Sequence, residues 1–339
     1  MKVHFFDPPP AQKTGGLDAA IGSLSAALER CGVPVSRELP EPHGGCVVHF
    51  HGIWQPPHSR LAHDCAARGI PYLVSPHGML EPWAWRHKRW KKWPYFHLIE
   101  KRYLRRAQCL LATAESEAAR LREFFPSQRV DSLPLGMTGD ARPDYAAARR
   151  ALGWADDERV LLFLSRIHAK KGLDLLLQAL TQTAFPASTR LVIVGGGEES
   201  YVRQLRAFAQ THATKLPRVD WIGEVWGDAR WKYFQGADLF CLPTHSENFG
   251  LAVLEACQVG TPALTTVTTP WGADLAEGRG FIGEPTVASN ARLLAQFFSQ
   301  PRKPEAERQA LADWAWGRFH WDALAPRYVE LYRSLIDGR

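Results

Sequence analysis

No stretch of this 339-residue chain reaches the roughly 18 uncharged apolar residues that a membrane-spanning helix requires, and the opening "MKVHFFDPPP" has no extended apolar run. The expectation is a protein with neither a spanning nor a secretory segment. No C-x-x-C pair occurs: the six cysteines, at 31, 46, 65, 109, 241 and 257, are scattered. They read as reduced, mostly buried thiols of a cytosolic protein, which argues against disulfides and zinc. His49 and His51 have a metal-like i, i+2 spacing, yet no carboxylate or cysteine cluster completes a set. An oriented or ligand-facing histidine is the better reading. "GGGEES" is an incomplete dinucleotide fingerprint, because Ser200 stands at the third glycine position. Short-period repeats, low-complexity segments and any D-x-D are also missing.

What is present describes a globular protein. Hydrophobic residues make up 45% and charged residues 22%, and the length suits two domains, each able to bury a core. The formal charge of +6 is modest but uneven, since residues 86–107, "RHKRWKKWPYFHLIEKRYLRRA", hold nine Lys or Arg against one Glu. Such a segment suits nucleic acid, anionic lipid or a phosphorylated substrate; the plainer alternative is a solvated helix face.

Apolar runs alternate with helical spacing, the pattern of a parallel α/β protein. Strands are expected at "KVHFF", "CVVHF", "PYLVS", "CLLAT" and "VDSLPL". A second series follows at "RVLLFLS", "TRLVIVGGG", "RVDWIG", "DLFCLPT" and "PALTTV". The polar stretch 136–158 between them, with no clear strand, reads as the connection. "WDALAPRYVELYRSLI" reads as a final amphipathic helix. The expected fold is two doubly wound domains with ligands at the carboxyl ends of their strands.

Two stretches carry chemistry. "HSENF" turns from a buried strand into the helix "GLAVLEACQVG", placing Glu247 at a strand end and Glu255 further along. From Asn248 to Ala273, Glu255 is the only charged residue, so it needs a partner or a ligand. Backbone amides around Phe249 to Leu251 suit a phosphate. In "LLFLSRIHAKKGLDLLL", Arg166 ends a strand and Lys171 follows five residues later. Two cations there suit a diphosphate, Arg as a fork and Lys as a point charge.

"SRIHAKKGLDLLL", "LVIVGGGEE", "WIGEV" and "ADLFCLPTHSENFGLAVLEACQVGTPALTT" occur in the order seen in family 4 retaining glycosyltransferases, the group 1 glycosyltransferases. "ENFGLAVLE" resembles that family's E-x7-E signature. "KTGGLDAAIGSLSAAL", "HFHGIW" and "SPHGMLEPWA" resemble members that build polysaccharides. The resemblance implies a GT-B fold: residues 1–140 an acceptor-binding Rossmann-like domain, 155–316 a nucleotide-sugar-binding one, and 317–339 a helix returning to the first.

By resemblance, Arg166 and Lys171 bind the donor diphosphate, Glu247 the donor sugar and Glu255 the ribose. Asn248, Phe249, Gly250 and Leu251 complete the donor site, and Gly16 in the "TGG" loop lets backbone approach the donor. His77 resembles the histidine that faces the donor sugar near the reaction centre, with Trp83 or Trp85 assigned to the acceptor. Two departures are Ser165, where a glycine is usual before the arginine, and "PLGM" in place of Pro-Asn-Gly.

The resulting expectation is a retaining enzyme with no required cofactor and no metal. A nucleoside-diphosphate sugar is the donor, and a glycan or polyprenyl-diphosphate-linked glycan the acceptor, in bacterial surface polysaccharide synthesis. Nucleic acid is not among the expected partners. Residues 86–106 are the candidate contact with an anionic membrane surface at the cytoplasmic face. The competing readings are a Rossmann-type NAD-dependent oxidoreductase and a non-catalytic binding protein.

Overall fold

The computed structural model describes residues 1–8, 15–38, 45–86 and 89–338. The chain divides into two compact units, Met1–Gly139 with Arg318–Arg339, and Asp140–Gly317. Each is built on a six-stranded sheet.

In the first unit the strands are β1 (Lys2–Phe6), β2 (Val35–Ser36), β3 (Cys46–His51), β4 (Tyr72–Ser75), β5 (Cys109–Ala112) and β6 (Val130–Ser132). Their order is β2-β1-β3-β4-β5-β6, and every pair is parallel. β3, β4 and β5 are buried along their whole length, which is why they read as continuous apolar runs rather than alternating ones. "VDSLPL" yields a strand only as far as Ser132, because Pro134 offers no ladder N–H. β2, two residues long, left no signal in the sequence.

The second unit contains β7 (Arg159–Leu164), β8 (Thr189–Val194), β9 (Arg218–Gly223), β10 (Leu239–Leu242), β11 (Ala263–Thr266) and β12 (Gly280–Gly283). The order β12-β11-β10-β7-β8-β9 is that of a Rossmann sheet, with its switch point between β7 and β10. Crevices for ligands open outside the carboxyl ends of the strands flanking such a point.

The stretch read as a connection contains the helix Tyr145–Leu152, capped by Asp144 and stopped by left-handed Gly153. It belongs to the second unit. Its anchor is Arg149, 1% exposed, which pairs with buried Asp238 at 3.4 Å and donates to the carbonyls of Gly236 and Glu158. Asp238 also pairs with Arg302 at 2.9 Å and accepts from Tyr145 Oη and Val160 N.

The helix Trp321–Ile336 buries Trp321, Leu324, Tyr328, Tyr332 and Leu335 in one cluster with Val3, Phe5, Ile21, Leu24 and Val47 of the first unit. Gly136, from the unusual "PLGM", is needed there: a Cβ would overlap the Trp321 indole, whose Nε1 donates to Met137 O at 2.9 Å.

Within the basic stretch, His87 and Lys88 lie outside the described residues. The remainder forms short helices, Pro82–Arg86, Arg89–Tyr95 and Lys101–Leu104, with a π turn at Phe96–Glu100. Along it Trp90 (75%), Trp93 (52%) and Leu98 (76%) stand exposed. All six cysteines are free, and only Cys31 is exposed.

Candidate functional site

The switch point of the second unit is assembled by two loops, one after β7 and one after β10. The first is held against the end of β8, where Ser165 N donates to Val194 O and Ile167 N to Gly196 O. Such closeness requires glycines: at Gly195 or Gly197 a Cβ would overlap the carbonyl of Ser165 or Ile167. The partial fingerprint "GGGEES" is thus explained by loop packing rather than by a dinucleotide.

Arg166 emerges here, exposed and without a hydrogen bond among the described residues. A single 3-10 turn, Ala169–Lys171, follows. His168 Nδ1 caps it by accepting from Lys170 N, and left-handed Gly172 (φ +73°) ends it. Burial, then the charges of Arg166, Lys170 and Lys171, hold the His168 imidazole below its ordinary range.

The two loops are tied through one carbonyl. Lys170 O accepts from His245 N and from Thr244 Oγ1, each at 2.8 Å. Threonines at and just past the end of β11 brace the second loop: Thr266 and Thr268 hydroxyls donate to Thr244 O, and Glu247 N donates to Thr268 O. The result places Lys171 Nζ 2.5 Å from Glu247 Oε2, across 76 positions of sequence. Both side chains keep some access, 17% and 15%, so a ligand can reach the pair.

Beyond Glu247 the chain passes buried Phe249 and enters the helix Leu251–Gln258 through Gly250 at φ +80°. Among the described residues no side-chain cap closes that N-terminus, a helix start whose first amides suit an anion. Trp271 fixes the turn, donating from Nε1 to Phe249 O at 2.5 Å and stacking edge-on against the Phe249 ring. Asn248 lies in the same turn, partly exposed.

Glu255 has an answer that the sequence did not name. Arg230 Nη2 stands 3.0 Å from its Oε1, with side-chain exposures of 18% and 12%. Arg230 closes a 3-10 turn, Gly227–Arg230, after β9. Nothing in "WGDARW" marked it, because the pair depends on how two loops fold. The carboxylate is therefore paired, which meets the need that its isolation in the sequence implied.

Gly16 and His77 belong to the first unit. Gly16 does not lie in a loop: it sits in the first turn of the helix Gly15–Arg30, since the apolar spacing of that helix extends back to the glycine pair. Lys13 and Thr14 beside it lie outside the described residues. His77 occupies the turn after β4 at φ +52°, a conformation few non-glycine residues adopt. Buried Glu117 fixes that turn, accepting from Gly78 N at 2.6 Å and from Thr113 N at 2.9 Å.

Behind His77 stands a histidine cluster. His51 Nδ1 is 3.1 Å from His77 Nε2, and His49 bonds Tyr332 Oη at 2.9 Å and Ser75 Oγ at 2.8 Å. Burial pushes His77 down to about 4. It lowers His49 and His51 well below the ordinary histidine range, with neighbouring imidazoles adding to the effect. The "HFH" spacing thus reflects hydrogen-bonded neutral rings rather than an isolated pair. Trp85 packs on Trp54, Phe96 and Phe124, partly buried against the core, while Trp83 is 40% exposed.

Comparison with known proteins places the family and the fold. The family model for glycosyl transferases group 1 matches residues 144–312, and that for a glycosyl transferase 4-like domain matches residues 8–136. A D-inositol 3-phosphate glycosyltransferase from Segniliparus rotundus is 30% identical over 241 residues, 68% of this chain and 53% of that protein. The chain spans about half the length of the curated relatives it matches.

Among solved structures, a sucrose-phosphate synthase from Thermosynechococcus elongatus superimposes with a TM-score of 0.79 at 19% identity, covering all of both chains. Anabaena HepE in complex with UDP and glucose gives 0.74 at 16% identity, covering 98% of this chain and 100% of that one. These likenesses identify the fold as GT-B, with a Rossmann-like sheet in each unit.

Proposed function

Since the chain belongs to the group 1 glycosyltransferases, we propose that it transfers a sugar from a nucleoside-diphosphate sugar to a glycan or lipid-linked acceptor, with retention of configuration. The observation that carries this reading is the Lys171–Glu247 pair at the switch point of a Rossmann sheet. Exposed Arg166 and the uncapped helix at Leu251 stand beside it in the fold. Arg166, Lys171 and the helix amides would hold the diphosphate, and Glu247 the donor-sugar hydroxyls. Glu255, already oriented by Arg230, would accept from the ribose.

In the transfer, the bond between the anomeric carbon and the diphosphate oxygen breaks as the acceptor oxygen bonds to that carbon. The acceptor proton passes to the departing diphosphate. The cations stabilise the charge that develops on that group, the interaction that grows between ground and transition state. A dinucleotide reading has less support, because the glycines after β8 are occupied in packing loops.

The HepE complex makes UDP the first nucleotide to test. Thermal melting in EDTA with saturating UDP, GDP, ADP, TDP or NAD is expected to shift with one nucleoside diphosphate. At ~100 times its dissociation constant that ligand adds about 2.7 kcal/mol to the unit it binds. Arg166→Ala should remove the shift. A shift with NAD alone would overturn the reading.

The acceptor reading is a membrane-linked glycan of a bacterial surface polysaccharide, handled at the cytoplasmic face. Its support is the exposed Trp90, Trp93 and Leu98 among the basic residues of 86–106. Aromatic and aliphatic side chains beside lysines and arginines suit an anionic interface. Flotation with phosphatidylglycerol vesicles should exceed flotation with phosphatidylcholine alone. Equal recovery would remove this part.

A further inference from the structure

The ring of His77 is controlled one residue deeper, by a side chain with no role in the reading above. His51, the last residue of β3, is 1% exposed. Its Nδ1 lies 3.1 Å from His77 Nε2, and the ring centroids are 5.4 Å apart with 17° between the planes. Two neutral imidazoles in that contact share a single hydrogen, so one nitrogen donates and the other accepts. Whichever state His77 Nε2 takes, its Nδ1 must take the opposite one.

The surroundings leave His51 little freedom. Phe5 meets its ring edge-on at 4.7 Å, and His49 lies 3.9 Å away on another side. His49 cannot substitute for it, because both of its nitrogens are engaged by Tyr332 and Ser75. The backbone of His77 is held separately, by Glu117 on the next amide. His77 Nδ1 has no hydrogen-bond partner among the described residues. It lines, with His51, Thr113 and Tyr328, one small cavity at the carboxyl ends of β3 to β5.

We propose that His51 is a positioning residue that holds His77 in one ring orientation and one tautomer, so that Nδ1 meets the ligand in a single protonation state. Its bearing on turnover rests on the reading of His77 as the histidine that meets the donor sugar. The bond between the two rings does not depend on that reading, and the experiment separates them.

Histidine-selective nitrogen-15 labelling reads the tautomer directly, with His77→Ala identifying the His77 signals. The wild-type ring should show one protonated and one unprotonated nitrogen, far apart in shift. In His51→Phe, which keeps a ring but no nitrogen, the two should move towards a common average. His51→Asn, whose amide sits near the former Nδ1, should restore the separation, and His51→Leu, smaller and without a nitrogen, should repeat the averaging if the Phe variant fails to fold. Unchanged His77 shifts in a folded His51→Phe or His51→Leu would overturn the proposal.

For function, hydrolysis of UDP-glucose is followed as UDP release. His51→Phe should lower kcat about tenfold, the lower end for loss of an outer hydrogen-bond partner, with KM nearly unchanged and Asn recovering most of it. If the shifts behave as expected but His77→Ala keeps full turnover, the assignment of His77 to the donor fails while the hold of His51 on it stands.

Discussion

Glu247 and Glu255 lie eight positions apart and meet the same cost, that of keeping a carboxylate largely out of water. Each has found a cation, Lys171 for the first and Arg230 for the second. Lys171 and Glu247 were both legible in sequence, because each ends a buried strand or follows one closely. Arg230 was not, since a lone arginine in a polar loop looks like any solvated one. Glu247→Gln is expected to lower turnover by ~10²-fold or more, as losing one stabilising contact to a reacting group commonly does. Its melting temperature should change little, because both members of the pair retain solvent access. A steady-state assay beside a melting curve checks this; full activity would remove Glu247 from the site.

At the scale of elements, the site depends on loops that approach too closely for side chains. Gly172 has φ +73°, and a Cβ there would overlap the carbonyl of Pro243 at the end of β10. Gly172→Ala is expected to cost about 1–3 kcal/mol from strain alone, read as a lower urea midpoint. Nucleotide affinity should fall with it, since the same glycine ends the turn that carries Lys171. Apolar runs announced ten of the twelve strands; β2 has only two residues, and β12, "GFIG", is half-buried with a glycine at each end, so neither gave a signal. Gly16 was misplaced for a related reason: a glycine pair looks like a loop, whereas helical spacing behind it drew it into the first turn.

Across the whole molecule, pH dependence concentrates in the first unit. His58 and His77 are held at about 4 by burial, and His49 and His51 well below their ordinary value. Between about 6.5 and 4 the unfolded chain therefore binds more protons than the folded one, and stability falls as pH falls. Glu100 acts the other way: buried, and raised to about 7, it makes the folded state the better proton binder between 4.5 and 7. Four imidazoles outweigh one carboxyl, so the melting temperature should drop from pH 8 to pH 5. Glu100→Gln should raise it at pH 8 and steepen the acid decline. A flat profile would contradict the neutral histidine cluster.

The sequence by itself determined the alternation of buried strands and helices, the strand ends that carry Arg166, Lys171 and Glu247, and the need of Glu255 for a partner. All of these follow from short-range pattern, because burial on both faces of a parallel strand dictates composition locally. Only the tertiary structure decided who the partners are. Arg230 reaches Glu255 across 25 positions, His51 meets His77 across 26, and Tyr332 closes on His49 across 283. Strand order sets such pairings, and in a parallel sheet the neighbours of a strand are fixed by crossovers whose destination no local segment encodes.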